Sequence, residues 1–311
     1  MNLEKQTWKE ATEMAILLDG TQRVIVQGIT GREGSARTRF MNDYGTNIVA
    51  GVTPGRGGAN VWGVPVYDTV KEAFDEHGPI DASVTFVPGL LVKNAVMEAI
   101  DAGVKLIVTP TERTPLHDIM QMVTKARKNG SRIIGPGSIG LISPGKAIAG
   151  WLGGTPEMAY DVFIPGEVGV MSRSGGQSST LPWSLKQAGL GVTTCICVGS
   201  EPILGTVFAE LLPLFEEDDE TKAIAMFGEI GTVQEEDAAE VIINQGLKKP
   251  VVAYIAGAWA KAGMRFSHAS AIIEGGKGTA ENKVKALKEA GVHVVNRPEE
   301  IASTISKFLK K

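Results

Sequence analysis

The chain has 311 residues, 43% of them hydrophobic, and a formal net charge of −4. That length suits two globular domains better than one, and the charge leaves no basic footprint for nucleic acid. No run approaches the roughly 18 apolar residues of a membrane span, and the N-terminus MNLEKQTWKEATEMAILLDG lacks the continuous apolar stretch of a secretory signal, so a soluble cytoplasmic protein is expected.

Short apolar strands alternate with helical patterns from end to end. VIVQGI (24–29) reads as a strand, followed by a glycine-rich turn and a helix near 33–43. NIVAGV (47–52), ASVTFVP (82–88), VKLIVT (104–109) and SRIIGP (131–136) follow as strands, with helix-like stretches such as KNAVMEAIDAG (93–103) between them. The stretch 151–167 has Pro and Gly but no period, and marks a domain boundary. The pattern then restarts with EVGVMS (167–172), TTCICVG (193–199), AIAMFGEIG (223–231), VVAYIAG (251–257), VHVVN (292–296) and a final helix. Alternation of this kind predicts an α/β protein with parallel sheets covered on both faces. The expected order is an N-terminal extension (1–17), a Rossmann-like domain (18–150) and a flavodoxin-like domain (151–311). The two cysteines, Cys195 and Cys197, form a C-x-C pair that is poorly placed for a disulfide and, with no second pair, weak as a metal site; they read as core residues in a reducing compartment.

In open α/β sheets ligands bind beyond the carboxyl ends of strands, so the loops there carry the information. The first is Gly28-Ile29-Thr30-Gly31-Arg32-Glu33-Gly34, spaced G-x-x-G-x-x-G before a helix. Such a turn lets a phosphate approach backbone N–H groups at a helix N-terminus. The second strand ends AGVTPGRGG (50–58), without the carboxylate that would hold a dinucleotide ribose. Arg56 stands there instead; a cation suits an extra phosphate, as in coenzyme A or NADP, and its bland alternative is a solvated loop arginine. Loops 87–94 and 109–115 are placed to shape a pocket over the first loop but are not specific alone.

In the second half, SRSGGQSST (172–180) ends a strand and opens a helix, which makes either an anion site or a plain N-cap by Ser174 or Ser178. Glu229 ends the next strand on a glycine-flanked turn. His268 lies in RFSHASAIIEGGKGTAENK (265–283), among small residues beside a glycine-rich loop. A loop histidine bonded to backbone is the bland reading. Imidazole, carboxylate and helix N-terminus converging on one sheet edge instead suit a histidine that takes and passes a phosphoryl group.

Taken together, GITGREG, GVTPGRGG, EAIDAGVKLIVTPTE, IGPGSIGLISPG, MSRSGG, FGEIG, KPVVAYIAG and SHASAIIEGGKGTAENK, in that order from about residue 18 onward, resemble the α subunits of succinyl-CoA synthetase and its relatives, the nucleoside-diphosphate-forming acyl-CoA ligases that include ATP-citrate lyase. The resemblance implies the reaction acid + CoA + ATP (or GTP) ⇌ acyl-CoA + ADP (or GDP) + phosphate. It implies His268 as the phosphohistidine with Glu229 as its carboxylate partner, and Ser174, Gly175 and Gly176 as phosphate holders. Coenzyme A would lie on Thr30, Gly31, Arg32, Glu33, Arg56 and the Pro110-Thr111-Glu112 turn, and the acid near Gln177, Ser178 and Ser179; no metal is assigned to this chain. ATP or GTP with Mg2+ would be bound mainly by a separate ATP-grasp β subunit, in an αβ or α2β2 assembly.

The chain departs from the family pattern at several places. The family usually has Gly-His-Ala-Gly-Ala where this chain has Ser267-His268-Ala269-Ser270-Ala271, so two hydroxyls are expected either to tighten the loop or to bond the phosphate. Thr-Leu-Thr-Tyr-Glu is replaced by Gly176-Gln177-Ser178-Ser179-Thr180, and Gly-Gly-Asp-Pro by Gly199-Ser200-Glu201-Pro202. These changes predict an acid other than succinate, one that is hydroxylated, branched or sulfonated, while the resemblance as a whole implies succinate or another small di- or tricarboxylic or sulfonated acid. Two other classes stay open on sequence: a non-catalytic CoA-binding module for regulation or assembly, against which His268 and Glu229 count, and an NADP-dependent oxidoreductase, against which the missing acidic residue counts.

Overall fold

A computed structural model describes residues 16–259, 268, 270, 271 and 278–310. Most of the expected N-terminal extension, together with Ser267 and Ala269, therefore lies outside the described residues. The first sheet contains β1 (Val24–Gln27), β2 (Ile48–Val52), β3 (Asn60–Val61), β4 (Val64–Tyr67), β5 (Ala82–Thr85), β6 (Leu106–Val108) and β7 (Arg132–Ile134). Helices α1 (Arg32–Tyr44), α2 (Val70–His77), α3 (Val92–Asp101) and α4 (Leu116–Asn129) connect them. The strand order is β3-β4-β2-β1-β5-β6-β7, parallel throughout except for the β3–β4 hairpin. Counting only the parallel strands gives the Rossmann order, and the loop after β1 falls at its topological switch point. Strands β1 and β5 are buried along their whole length, as a sheet covered on both faces requires.

The second sheet begins earlier than the sequence implies. Strands β8 (Gly140–Ser143) and β9 (Ala147–Gly150) form a hairpin whose β8 pairs antiparallel with β11 (Val192–Cys197). The boundary expected at 150 thus cuts through the second sheet, and the change of sheet falls between Ile134 and Gly140. The hairpin is tight: a Cβ on Gly140, whose φ is +98°, would sit 1.9 Å from the Ala149 carbonyl oxygen. After α5 (Pro156–Val162) come β10 (Pro165–Ser172), α6 (Gln177–Gln187), β11, α7 (Phe208–Glu217), β12 (Ala223–Glu229), α8 (Gln234–Gln245), β13 (Val251–Ala256), α9 (Ala280–Glu289), β14 (His293–Val294) and α10 (Glu300–Leu309). The order is β14-β13-β12-β10-β11-β8-β9, which places the five parallel strands in the flavodoxin-like arrangement with its switch point between β10 and β12.

One apolar core runs through both sheets, from Val24 and Val84 to Ile224 and Val252, and a second lies under α3 and α4 around Ile25, Val96 and Ile119. Cys195 and Cys197 are buried free thiols of β11, and burial pushes both up. Among the described residues no helix is long and apolar enough to cross a membrane.

Candidate active site

Three neighbouring elements of the second sheet deliver the site. In the sheet register Ser172 lies beside Phe227, and Glu229 beside Ala256, so the loop after β10, the last residue of β12 and the segment after β13 leave from one edge. His268 lies on that last segment, and its Nδ1 is 2.7 Å from Glu229 Oε2. An ionised carboxylate can only accept, so Nδ1 carries a proton, and it is Nε2 that holds the lone pair whenever the ring is neutral. His268 is half-buried, and among the described residues Nε2 has no partner.

Glu229 is 8% exposed and uses both oxygens. Oε1 lies 3.3 Å from Arg173 Nη2 and accepts from Ser270 Oγ at 3.0 Å. Burial pushes its carboxyl up, but the hydrogen bond with His268, the charges of Arg173 and His268, and the Ser270 hydroxyl outweigh that and hold it below the ordinary glutamate value. Arg173 is 1% exposed, and among the described residues its Nε and Nη1 have no hydrogen-bond partner and Glu229 is its one ion-pair partner. Arg173 Nη2 also donates to Ser270 Oγ, and at 3.4 Å to the Glu201 carbonyl. Ser270 Oγ lies 3.0 Å from the Ser200 carbonyl as well. Of the two roles expected for the added hydroxyls, Ser270 therefore takes the loop-tightening one.

A second buried cluster supports Glu229 from behind. The Glu229 backbone N–H donates to Glu235 Oε1 at 3.0 Å, and Glu235 Oε2 pairs with Lys283 Nζ. Lys283 also meets Glu236 at 2.9 Å and the Thr232 carbonyl at 3.1 Å, and its side chain is fully buried. Gly228 makes room: a Cβ there would sit 2.4 Å from Glu235 Oε1. The glycine-rich loop closes on the same turn through Gly231 N–H to the Gly278 carbonyl at 2.8 Å, and Thr279 then caps α9 by accepting from Asn282 N–H at 3.2 Å.

Ser174, Gly175 and Gly176 form the turn between β10 and α6. Gly176 is the N-cap residue and supplies no side chain; Ser174 Oγ accepts from Gln177 N–H at 3.4 Å. This is a long capping bond that leaves the Gln177 N–H only weakly held and open to an anion, whereas the Ser178 N–H donates to the Ser174 carbonyl at 2.9 Å and the Ser179 N–H to the Gly176 carbonyl at 3.1 Å. Gln177 and Ser179 are half-buried, and among the described residues Gln177 Oε1 has no partner. Ser178 is different. It is fully buried, its hydroxyl donates to the Ser174 carbonyl at 2.9 Å, and its carbonyl accepts from Cys195 Sγ at 3.3 Å. Contact between Ser178 and the acid does not fit that burial; the residue belongs to the framework of α6.

The first sheet presents a separate anion surface. Gly31 is the N-cap of α1 with no side-chain cap, and Arg32 and Glu33 of its first turn are exposed, while Thr30 N–H reaches Thr53 Oγ1 at 3.4 Å. Gly34 is required for closeness, since its Cβ would stand 2.1 Å from the Gly28 carbonyl oxygen. Arg56 is exposed on a loop held by Asp68, whose Oδ1 accepts from Arg56 and Gly57 N–H, each at 2.8 Å. The Gly57 and Arg56 amides hold the Asp68 carboxyl below its ordinary value. An exposed cation on a fixed loop near an uncapped helix start fits a phosphorylated nucleotide. In the 110–113 turn Pro110 is buried, Thr111 Oγ1 donates to the Val87 carbonyl at 2.8 Å, and Glu112 is exposed.

Arg173, Glu201, Glu235 and Lys283 were not assigned roles by the sequence reading. Arg173 had a signal, since it follows the apolar run EVGVMS directly and so sits at a strand end. A charged residue within loop sequence otherwise reads as solvated.

Comparison with known proteins follows the same division. The CoA binding domain family matches residues 19–113, and the CoA-ligase family matches residues 171–293. The α subunit 2 of the ADP-forming succinate–CoA ligase of Archaeoglobus fulgidus is 49% identical over 95% of this chain and 100% of its own length. The SqwL subunit of the ADP-forming sulfoacetate–CoA ligase of an Acholeplasma species is 42% identical over 95% of this chain and 98% of its own. The structure of ATP citrate lyase from Methanothrix soehngenii with citrate and coenzyme A matches with a TM-score of 0.86, covering 95% of this chain and 51% of that one. This chain spans about half of that longer protein, and at 24% identity the likeness shows the fold alone.

Proposed function

The chain belongs to the family of ADP-forming CoA-ligase α subunits, and from that premise we propose that it works through His268 as a phosphohistidine in an acid–CoA ligase with a separate β subunit of ATP-grasp fold. The single observation that carries the reading is the pairing of His268 Nδ1 with the buried, ionised Glu229. It leaves Nε2 as the nucleophile. In the forward direction its lone pair attacks the γ-phosphorus of ATP on the β subunit, the P–O bond to ADP breaks, and ADP leaves. Glu229 stabilises the charge the ring gains. The phosphoryl group then passes to a carboxylate oxygen of the acid, which restores free His268. The coenzyme A thiolate attacks the acyl carbon, the C–S bond forms, the C–O bond breaks and phosphate leaves.

Ser174, Gly175 and Gly176 hold the phosphoryl group at the α6 N-terminus. Thr30, Gly31, Arg32, Glu33, Arg56 and the 110–112 turn hold coenzyme A, with Arg56 on a phosphate. Gln177 and Ser179 face the acid. The acid is a short dianion with one reacting carboxylate and a second carboxylate or a sulfonate; the relatives named for succinate and for sulfoacetate, at 49% and 42% identity, support that class. The assembly is αβ or α2β2, and its location is cytoplasmic.

The test is co-expression with a β subunit, then measurement of ADP release with CoA and a panel of succinate, malate, citrate, itaconate and sulfoacetate. Preference for one acid, lost in His268→Ala, supports the reading. Tight CoA binding without ADP release or labelled His268 would sink it in favour of a binding module.

A further inference from the structure

The loop 199–202 after β11 belongs to the second sheet, yet it reaches into the first. Glu201 is 5% exposed, and its Oε1 accepts from Arg113 N–H at 2.6 Å. Arg113 ends the turn that follows β6. Among the described residues this is the one side-chain hydrogen bond that ties the 110–113 turn directly to the second sheet. Arg113 is also one of four non-glycine residues with a positive φ among the described residues, at 60°, a conformation that carries a cost for any residue with a Cβ. The bond to Glu201 holds it there. The two loops are built to approach closely, since a Cβ on the intervening Gly137 would sit 2.6 Å from Ser200 Oγ.

The other side of the same loop faces the histidine. The Ser200 carbonyl accepts from Ser270 at 3.0 Å and the Glu201 carbonyl from Arg173 at 3.4 Å, and both donors also contact Glu229, the partner of His268. Loop 199–202 is therefore a shared wall, with its side chain on the 110–113 turn and its backbone on the His268 cluster. No cation pairs with the Glu201 carboxylate among the described residues; its role is that of an acceptor.

We infer that Glu201 is a positioning residue for thioester formation: its carboxylate pins the 110–113 turn against the wall of the His268 pocket. The inference rests on the ligase reading above, in which that turn holds coenzyme A. Attack of the thiolate on the acyl phosphate requires the two to meet within contact distance, so the place of this turn sets the geometry of that step. Phosphorylation of His268 by ATP involves no coenzyme A and does not need the turn. The two half-reactions must then respond differently to loss of the Glu201 bond.

The experiment uses the αβ complex, with ATP-driven labelling of His268 as one readout and CoA-dependent formation of the thioester from the acid as the other. Glu201→Ala is expected to slow thioester formation or raise the KM for CoA about tenfold or more, with labelling within about twofold of the parent. Glu201→Gln, which keeps an acceptor for Arg113 N–H, is expected near the parent in both. In Arg113→Gly the turn adopts φ near 60° without a Cβ, so Glu201→Ala is expected to cost less in that background than alone. Should Glu201→Ala not accumulate, Glu201→Asp, shorter by one methylene, is expected to show the same split. Parallel loss of labelling and thioester formation, no effect of Glu201→Ala, or Glu201→Gln as impaired as Glu201→Ala would each overturn the inference. A parent complex that labels His268 but forms no thioester from CoA and any of the acids would instead overturn the ligase reading, and this inference with it.

Discussion

Glu229 meets His268 through Oε2 alone, at 2.7 Å from Nδ1, and gives Oε1 to Arg173 and Ser270. One buried carboxylate thus fixes the imidazole tautomer with one oxygen while the other is locked by a buried guanidinium. The phosphoryl group is therefore expected on Nε2, which phosphorus NMR of the labelled complex distinguishes from Nδ1. Glu229→Gln is expected to lower the labelling rate by about 10²-fold or more, and His268→Ala to abolish labelling; a label on Nδ1 would contradict the arrangement.

The same contacts fix a pH dependence. The Glu229 carboxyl is held below its ordinary value of 4.5, so its contribution to stability is fully present above that value and is lost as pH falls through the lower folded-state value. Thermal unfolding of the parent and Glu229→Gln, compared between about pH 3 and 7, should show a constant gap above the ordinary value and a shrinking gap below the folded one. A gap that grows on acidification would mean that the carboxyl is raised rather than lowered.

Much of this was legible in the sequence, for a physical reason. Strands such as Val24–Gln27 and Ala82–Thr85 are buried on both faces and appear as unbroken apolar or small-residue runs, and the residues just after them are forced to the ligand edge. That logic brought Glu229 and His268 together before any coordinates. It failed for the hairpins Asn60–Tyr67 and Gly140–Gly150, whose strands are two to four residues long and interrupted by Gly or Pro, too short to show a period. It failed for Ser178, because a helix start exposes some serines and buries others, and only the packing of α6 on β11 decides which. It also missed Arg173, Glu201 and Lys283, whose burial comes from partners distant in sequence.

Lys283 gives the clearest stability prediction. It and Glu235 are fully buried, and Glu235 also accepts the backbone N–H of Glu229. Lys283→Met leaves a buried carboxylate without its cation and is expected to destabilise by about 3–5 kcal/mol, read by denaturant unfolding. Adding Glu235→Gln removes the stranded charge and should recover part of the loss; a double variant less stable than Lys283→Met would contradict this account.

Arg56 tests which phosphate of coenzyme A the proposed site holds. Its loop is held by Asp68 through backbone amides, which leaves the guanidinium exposed for a ligand. Arg56→Ala is expected to raise the KM for CoA about tenfold, as loss of about 1.4 kcal/mol of charged contact would. Arg56→Lys should retain most of the affinity, and dephospho-CoA should be less sensitive to the change. Equal sensitivity of the two thiols would place Arg56 on the pyrophosphate instead.

Ser270 tests whether the hydroxyl next to the histidine serves structure or the phosphoryl group. It accepts from Arg173 and shares its single proton between the Ser200 carbonyl and Glu229 Oε1, each at 3.0 Å. With that proton committed, it has none to offer a phosphate. Ser270→Ala leaves Arg173, already lacking partners at Nε and Nη1, with one bond fewer in a buried place, so a loss of about 1–3 kcal/mol is expected. Glu229 also loses a donor, so its carboxyl should titrate higher in the variant. The expected signature is a lower melting temperature with the phosphohistidine formed at nearly the parent rate at neutral pH, where Glu229 stays ionised. A variant of unchanged stability whose phosphohistidine forms or decays at an altered rate would place the hydroxyl on the phosphoryl group after all.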